Sequence, residues 1–210
     1  MTEAPASPLT ADEVAVLERL LAKVSGCSGD LPWPLFRFVT EVAATSNVDL
    51  LVREPGRGLL LAWRDDPFGT GWHVPGSIIR HREEIGHRLA ACAREELGCD
   101  VTVAGAVAAV IEIFDDRGHS VSLCYPARLR GAPGRRVVGP GEAPRPGDLA
   151  WFAACPDHLY PSHGIYREVL AALEAGPPEG GARVFTQHVG RRDAAAGSPR
   201  GWIGSDAPLA

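Results

Sequence analysis

Glu95 and Glu96 stand side by side just before Gly98, in the run Arg94-Glu95-Glu96-Leu97-Gly98-Cys99. Two adjacent carboxylates at a helix end, stopped by a glycine, sit near the negative pole of the helix dipole, where anions are mildly disfavoured. A bound cation is the obvious compensation. A hard divalent ion such as Mg²⁺ (or Mn²⁺) takes oxygen ligands, typically one or two carboxylates plus substrate phosphates and water. The plainer reading of the pair is a solvated helix end. Further residues could act beside such an ion. Arg64 follows the apolar run Leu59-Leu60-Leu61-Ala62-Trp63 and could clamp an anion or neutralise a leaving group. Its plainer role is an ion pair with Asp65 or Asp66. Asp49 interrupts the apolar Val48-Leu50-Leu51-Val52 and could face solvent by strand alternation or serve a site. His119 and His163 are general-base candidates near neutral pH, although a lone histidine is more often structural. Trp63 and Trp72 could stack a base, with core packing as the alternative.

Elements must hold these residues in place. Thr10-Ala11-Asp12-Glu13 has the form of a capping box, and Val14, Leu17, Leu21 and Val24 follow at helical spacing up to Ser25-Gly26. Pro34 suits the first turn of a second short helix. Residues 1–45 therefore read as a helical extension that covers an apolar face or forms a homodimer contact. Strands are expected at Val48–Arg53 and Leu59–Arg64, around the turn Glu54-Pro55-Gly56-Arg57-Gly58, and at Trp72–Val74. The motif helix runs from about Glu84 to Leu97, with Ile85, Leu89, Cys92 or Ala93, and Leu97 on its apolar face. Gly98 suits a left-handed terminal position. Val101–Phe114 reads as a strand with Gly105 a bulge or break, and Ser120–Leu129 as its partner. Residues 131–147 form a loop, Leu149–Ala154 a strand, and His163–Leu173 an amphipathic helix. Residues 177–210 read as a mostly irregular tail in which Val184-Phe185 and Trp202-Ile203 could dock. This order gives an α/β sandwich of mixed sheets.

Composition narrows the function. The chain has 210 residues and a net charge of −5, which disfavours a general nucleic-acid or anionic-membrane binder. The five cysteines, Cys27, Cys92, Cys99, Cys124 and Cys155, are widely spaced with no C-x-x-C, so neither a disulfide framework nor a zinc site is indicated. A reduced, cytoplasmic setting is the expectation. No signal peptide is visible, and no apolar run approaches the roughly 20 residues of a membrane helix.

The stretch 72–100 resembles the Nudix box, G-x5-E-x7-R-E-U-x-E-E-x-G-U with U aliphatic. Glu95-Glu96-Leu97-Gly98-Cys99 matches its end and Glu83 its first glutamate. The same register puts Ser77 on the opening Gly, Ala91 on the Arg and Cys92 on the Glu of the R-E pair. The resemblance covers roughly 46–175. It implies a Nudix-type α/β/α sandwich and hydrolysis of a nucleoside diphosphate derivative with Mg²⁺ or Mn²⁺. The chain is most similar to the GDP-mannose mannosyl hydrolase branch, which also lacks a Glu at the Cys92 position and acts on a nucleotide sugar at the sugar carbon. That likeness implies Glu96 as the side-chain metal ligand, Glu95 as a helper and the Ser77 carbonyl as a backbone ligand. It aligns Asp49 and Arg64 with site residues, and Arg64, Trp72 and Arg80 become substrate-binding candidates. The branch's metal-binding Gln and catalytic His have no clear match near Arg145-Pro146-Gly147-Asp148, where Asp148 could stand in for a late ligand. The rival expectation is a Nudix-fold binding or regulatory module without chemistry, motivated by Ser77, Ala91 and Cys92.

Overall fold

The structure, a computed structural model, describes residues 9–25, 31–115, 118–174 and 182–189. Cys27 and the Trp202-Ile203 pair lie outside the described residues. Two compact units are present, Met1–Pro32 and Trp33–Ala210. The first contains helix α1 (Ala11–Val24), whose capping box is formed: the Glu13 N–H donates to Thr10 Oγ1 and the Thr10 N–H to Glu13 Oε2. Ser25 caps its end.

The second unit opens with α2 (Trp33–Val42). Gly118 receives it: a Cβ there would run into the Thr40 carbonyl. The strands that follow are β1 (Thr45–Glu54), β2 (Gly58–Asp66), β3 (Gly69–His73) and β4 (Gly76–Ile78). After helix α3 (Ile85–Cys92) and a π turn (Ala93–Leu97) come β5 (Val101–Val103), β6 (Ala109–Asp115), β7 (Gly118–Leu129) and β8 (Leu149–Phe152). A 3₁₀ turn (Pro161–His163), α4 (Tyr166–Glu174) and β9 (Arg183–His188) complete the unit.

The strand path is β3-β2-β1-β7-β6-β9, with β4 on β1, β5 on β7 and β8 on β2. β1 and β2 pair only beside their turn, at Arg53↔Leu59 and Glu54↔Gly58, and then diverge. β1 continues parallel to β7 and antiparallel to β4, while β2 is flanked by β3 and β8. The sheet is therefore mixed, with β1–β7 and β6–β9 parallel and the other pairs antiparallel.

β1 is buried on both faces, which explains its nearly continuous apolar run. Val48, Leu50 and Val52 pack with Leu89, Cys92, Ala93 and Leu97 of the α3 segment. On the other face Leu51 packs with Ile165, Tyr166, Val169 and Leu170 at and before α4. β2 divides in the same way, Leu60 and Ala62 to one core and Leu59 and Leu61 to the other. The result is an α/β/α sandwich.

The apolar stretch 101–114 forms two strands, β5 and β6, and of the two alternatives at Gly105 the structure has the break, with φ +51°; both pieces pair with β7. Three expectations need correction. The final helix begins at Tyr166, and His163 ends the preceding 3₁₀ turn. The motif helix changes from α to π hydrogen bonding at Ala93. The tail is not irregular throughout: β9 pairs parallel with β6 from Ala109↔Arg183 to Phe114↔His188.

Candidate active site

The site forms where β1, β3, β4 and the π turn meet. β1 presents Asp49 beside Gly76, its antiparallel partner in β4. The Leu50 N–H donates to the Pro75 carbonyl and the Ile79 N–H to the Ser46 carbonyl, which pins the Pro75-Gly76 loop to β1. Gly76 is required for space: a Cβ there would collide with Asp49 Oδ1. Asp49 is only 4% exposed, so the solvent-facing alternative for it fails. The Tyr166 hydroxyl donates to Asp49 Oδ2, and the Cys124 thiol lies 4.0 Å from the same oxygen. Burial pushes its carboxyl up to about 6, against the opposing pull of Tyr166 and the Arg64 charge.

The π turn supplies Glu96. His73, buried at the end of β3, has its Nε2 3.2 Å from Glu96 Oε2 and 3.3 Å from Arg64 Nη2. Burial holds His73 below its ordinary value, so the ring is neutral at pH 7, and the tautomer with its proton on Nε2 donates to the Glu96 carboxylate. Burial pushes the Glu96 carboxyl up, but the His73 hydrogen bond and the nearby Arg64 and Arg135 guanidinium groups outweigh it. Glu96 is therefore an ionised carboxylate in a partly buried setting. Arg64 also lies over the Tyr160 ring, 5.4 Å from its centroid. Its neighbours Asp65 and Asp66 are engaged elsewhere, by the Thr70 and Tyr160 hydroxyls. The simple surface ion pair considered for Arg64 is thus replaced by a contact with the site.

The end of the motif helix is closed by the 131–148 loop. Gly98 takes φ +69°, the left-handed conformation expected of it, and its backbone touches Gly134, where side chains would not fit. The Gly134 N–H donates to the Leu97 carbonyl and Arg135 Nη2 to the Glu95 carbonyl at 2.6 Å. Two carbonyls that a helix end leaves unpaired are satisfied in this way. Asp148 is 7% exposed and accepts from Arg136 Nη1 and the Arg145 N–H, so it braces this loop and is no substitute ligand.

The remaining candidates lie apart from this cluster or are held by other contacts. His119 lies on β7 opposite Phe114, five residues along the strand from Cys124, roughly 17 Å at strand spacing. It stacks on Phe114 with centroids 4.2 Å apart and plays no part in this cluster. His163 comes close, with its ring 5.7 Å from that of His73. Its Nδ1 accepts the Val74 N–H at 3.2 Å and its face stacks on Tyr166, contacts that tie it to the end of β3. Trp72 is buried at 8% and packs edge-on against Trp63 and Phe152, the core role rather than a stacking platform. Arg80 is half-buried, and its N–H donates to Glu83 Oε2 at the entry to the helix. Ser77 is half-buried on β4, in register with Val48. Glu95 Oε1 accepts from Arg88 Nη2 at 2.8 Å.

No spacing in the sequence singles out His73, Arg88 or Arg135; burial and contacts in the fold do.

Among the described residues no group of three or more His, Cys, Asp or Glu is arranged to hold a metal ion. Cys92 is fully buried and its thiol is pushed up by burial and by the charges of Glu96 and Asp49, so it stays protonated. A cage built wholly of protein ligands does not fit. A magnesium-type ion held by Glu96, with its remaining positions left to water and phosphate, does fit this donor set.

No family model matches the chain. Among solved structures, a Nudix hydrolase from Nitrosomonas europaea superposes with a TM-score of 0.50 at 15% identity, over 69% of this chain and 79% of that one. A UDP-X diphosphatase superposes with a TM-score of 0.51 at 16% identity, over 86% and 89%. The chain thus has the Nudix fold. A curated relative, the low-salt glycan biosynthesis protein Agl8 of Haloferax volcanii, is 36% identical over 70 residues. That alignment covers 33% of this chain and 44% of the relative, less than half its length. No described helix is long and apolar enough to cross a membrane.

Proposed function

We propose that the chain is a metal-dependent Nudix hydrolase of a nucleoside diphosphate derivative, and specifically of a nucleotide sugar such as GDP-mannose. The observation that supports this best is the chain of contacts Arg64–His73–Glu96, which keeps a carboxylate ionised beside a cation at the place where the motif expects a metal ligand. Glu96 and the Ser77 carbonyl would hold Mg²⁺ or Mn²⁺, which when bound neutralises charge on the diphosphate. Arg64 stabilises the negative charge that develops on the leaving group. His73 holds Glu96 in place. Asp49, ionised above about pH 6, is the remaining carboxylate and the candidate acceptor of a proton from the attacking water. Arg80 is the substrate-binding candidate at the mouth of the loop.

The test is turnover of GDP-, UDP- and ADP-linked compounds with Mg²⁺, with the products identified. Glu96→Gln should lower activity by more than the roughly 10–100-fold typical of residues behind a metal ligand. No turnover of any compound overturns the reading. In ¹⁸O-water, label recovered in the sugar marks attack at carbon, and label in the phosphate marks attack at phosphorus.

The fully buried, protonated Cys92 supports a second reading, a ligand-binding module without chemistry. Tight binding of a nucleotide without Mg²⁺ dependence and without turnover would decide for it.

A further inference from the structure

Arg88 is fully buried, with a relative exposure of 0%, on the face of α3 that points toward both ends of the motif. Its Nη2 donates to Glu95 Oε1 at 2.8 Å and its Nε lies 3.8 Å from Glu83 Oε1. Glu83 in turn accepts the Arg80 N–H at 2.9 Å. One guanidinium therefore ties the loop that enters the helix to the turn that leaves it. The Glu95 carbonyl is held separately by Arg135. The residue next to Glu96 is thus fixed through both its side chain and its backbone.

A buried guanidinium is costly unless paired, so its placement calls for a reason. The motif's own arginine belongs at Ala91, one turn further along the same helix face. Two arginines at 88 and 91 would compete for the same carboxylates. With alanine at 91, the guanidinium that meets Glu83 and Glu95 is the one from 88. The seven residues from Arg88 to Glu95 make about two helical turns, so the two side chains share a face.

We propose that Arg88 takes over, from one turn earlier, the place of the arginine missing at 91, and acts as the positioning residue that sets Glu96 for a divalent cation. This inference rests on the metal-dependent reading above. Arg88 itself touches neither ion nor substrate; it acts through Glu95 and Glu83.

The test is a Mn²⁺ titration of the full chain followed by electron paramagnetic resonance, with thermal unfolding measured alongside. The variants are Arg88→Lys, Glu95→Gln, the two combined, and the relocation Arg88→Ala with Ala91→Arg. A lysine keeps the charge but cannot reproduce the guanidinium fork. Arg88→Lys and Glu95→Gln should each weaken Mn²⁺ binding roughly 10–100-fold. If both act through one contact, the combination should be no weaker than the worse single variant. The relocation should recover most of the affinity. Glu95 has a half-exposed side chain, so Glu95→Gln keeps the test readable should Arg88→Lys fail to fold. Lowered melting temperatures with unchanged Mn²⁺ affinity would overturn the positioning role and leave the functional reading intact. A wild-type chain that binds no Mn²⁺ overturns both.

Discussion

Replacing Asp49 by asparagine removes a buried charge without changing the shape of the side chain, and its effect on stability should depend steeply on pH. Asp49 is almost fully buried, and its carboxyl is raised from the ordinary 3.8 to about 6. A carboxyl raised on folding binds its proton more tightly in the folded state. Its stabilising contribution is complete below pH 3.8 and is lost as pH rises through 6. Each tenfold change in proton affinity is worth about 1.4 kcal/mol, so the whole loss amounts to about 3 kcal/mol. The asparagine amide keeps an oxygen for the Tyr166 hydroxyl and carries no charge to desolvate. Urea unfolding of both proteins from pH 4 to pH 8 provides the assay. Glu83 and Glu96, whose carboxyls are held low, pull stability in the opposite direction on acidification. They are present in both proteins and cancel in the difference. Part of that loss falls below pH 4, so the difference should move by about 2 kcal/mol in favour of Asp49→Asn between pH 4 and pH 7. A difference that stays flat across that range would refute the buried-carboxylate argument.

Other predictions test neighbouring contacts. Tyr166→Phe removes the hydroxyl that favours the Asp49 carboxylate, so the pH midpoint of stability should move above 6, with a loss of roughly 1–3 kcal/mol at neutral pH; an unmoved midpoint would separate the two groups. Gly76→Ala drives a methyl into Asp49 at a residue whose φ is not positive, so the cost is steric, about 1–3 kcal/mol by urea unfolding; a smaller loss would mean that the carboxylate gives way freely. Cys92→Glu adds an oxygen donor one helical turn before Glu96, where Arg88 has Nε and Nη1 buried without a hydrogen-bond partner among the described residues. Mn²⁺ binding should tighten while overpacking lowers stability by about 1–3 kcal/mol; unchanged affinity would show that position 92 does not face the ion.

Much of the scaffold is readable from local pattern alone. Thr10 and Glu13 announce the start of α1, and Gly98 announces the end of the motif helix, because each signal is completed within a few residues. β1 and β2 are apparent from their β-rich runs. What escapes depends on distant partners. The change to π bonding at Ala93 has no residue signature, since it involves only which carbonyl each N–H selects. β9 alternates between half-buried and exposed residues over Arg183–His188, but it lies among glycines and alanines and is a strand only because β6 offers an edge. Within the site, Glu96 and Arg64 come from the motif and its flank. His73 matters through burial and a contact 23 residues away, which spacing within one strand does not disclose, and Arg88 through its burial, which its place two turns before Glu95 does not announce. Trp72 and His119 are the opposite case: residue types suited to chemistry that tertiary packing employs elsewhere.

The pairing of β9 with β6 bears on how the chain could be shortened. A boundary at 176 looks natural from composition, and it removes the strand that occupies the open side of β6. Ala109–Asp115 would then offer six unpaired positions along a strand that carries Ile111 and Ile113. An uncovered strand of that kind is a template for another chain. A fragment cut there would keep every residue of the proposed site and still be prone to self-association through its outer strand, so its loss of yield or activity would say nothing about the catalytic groups.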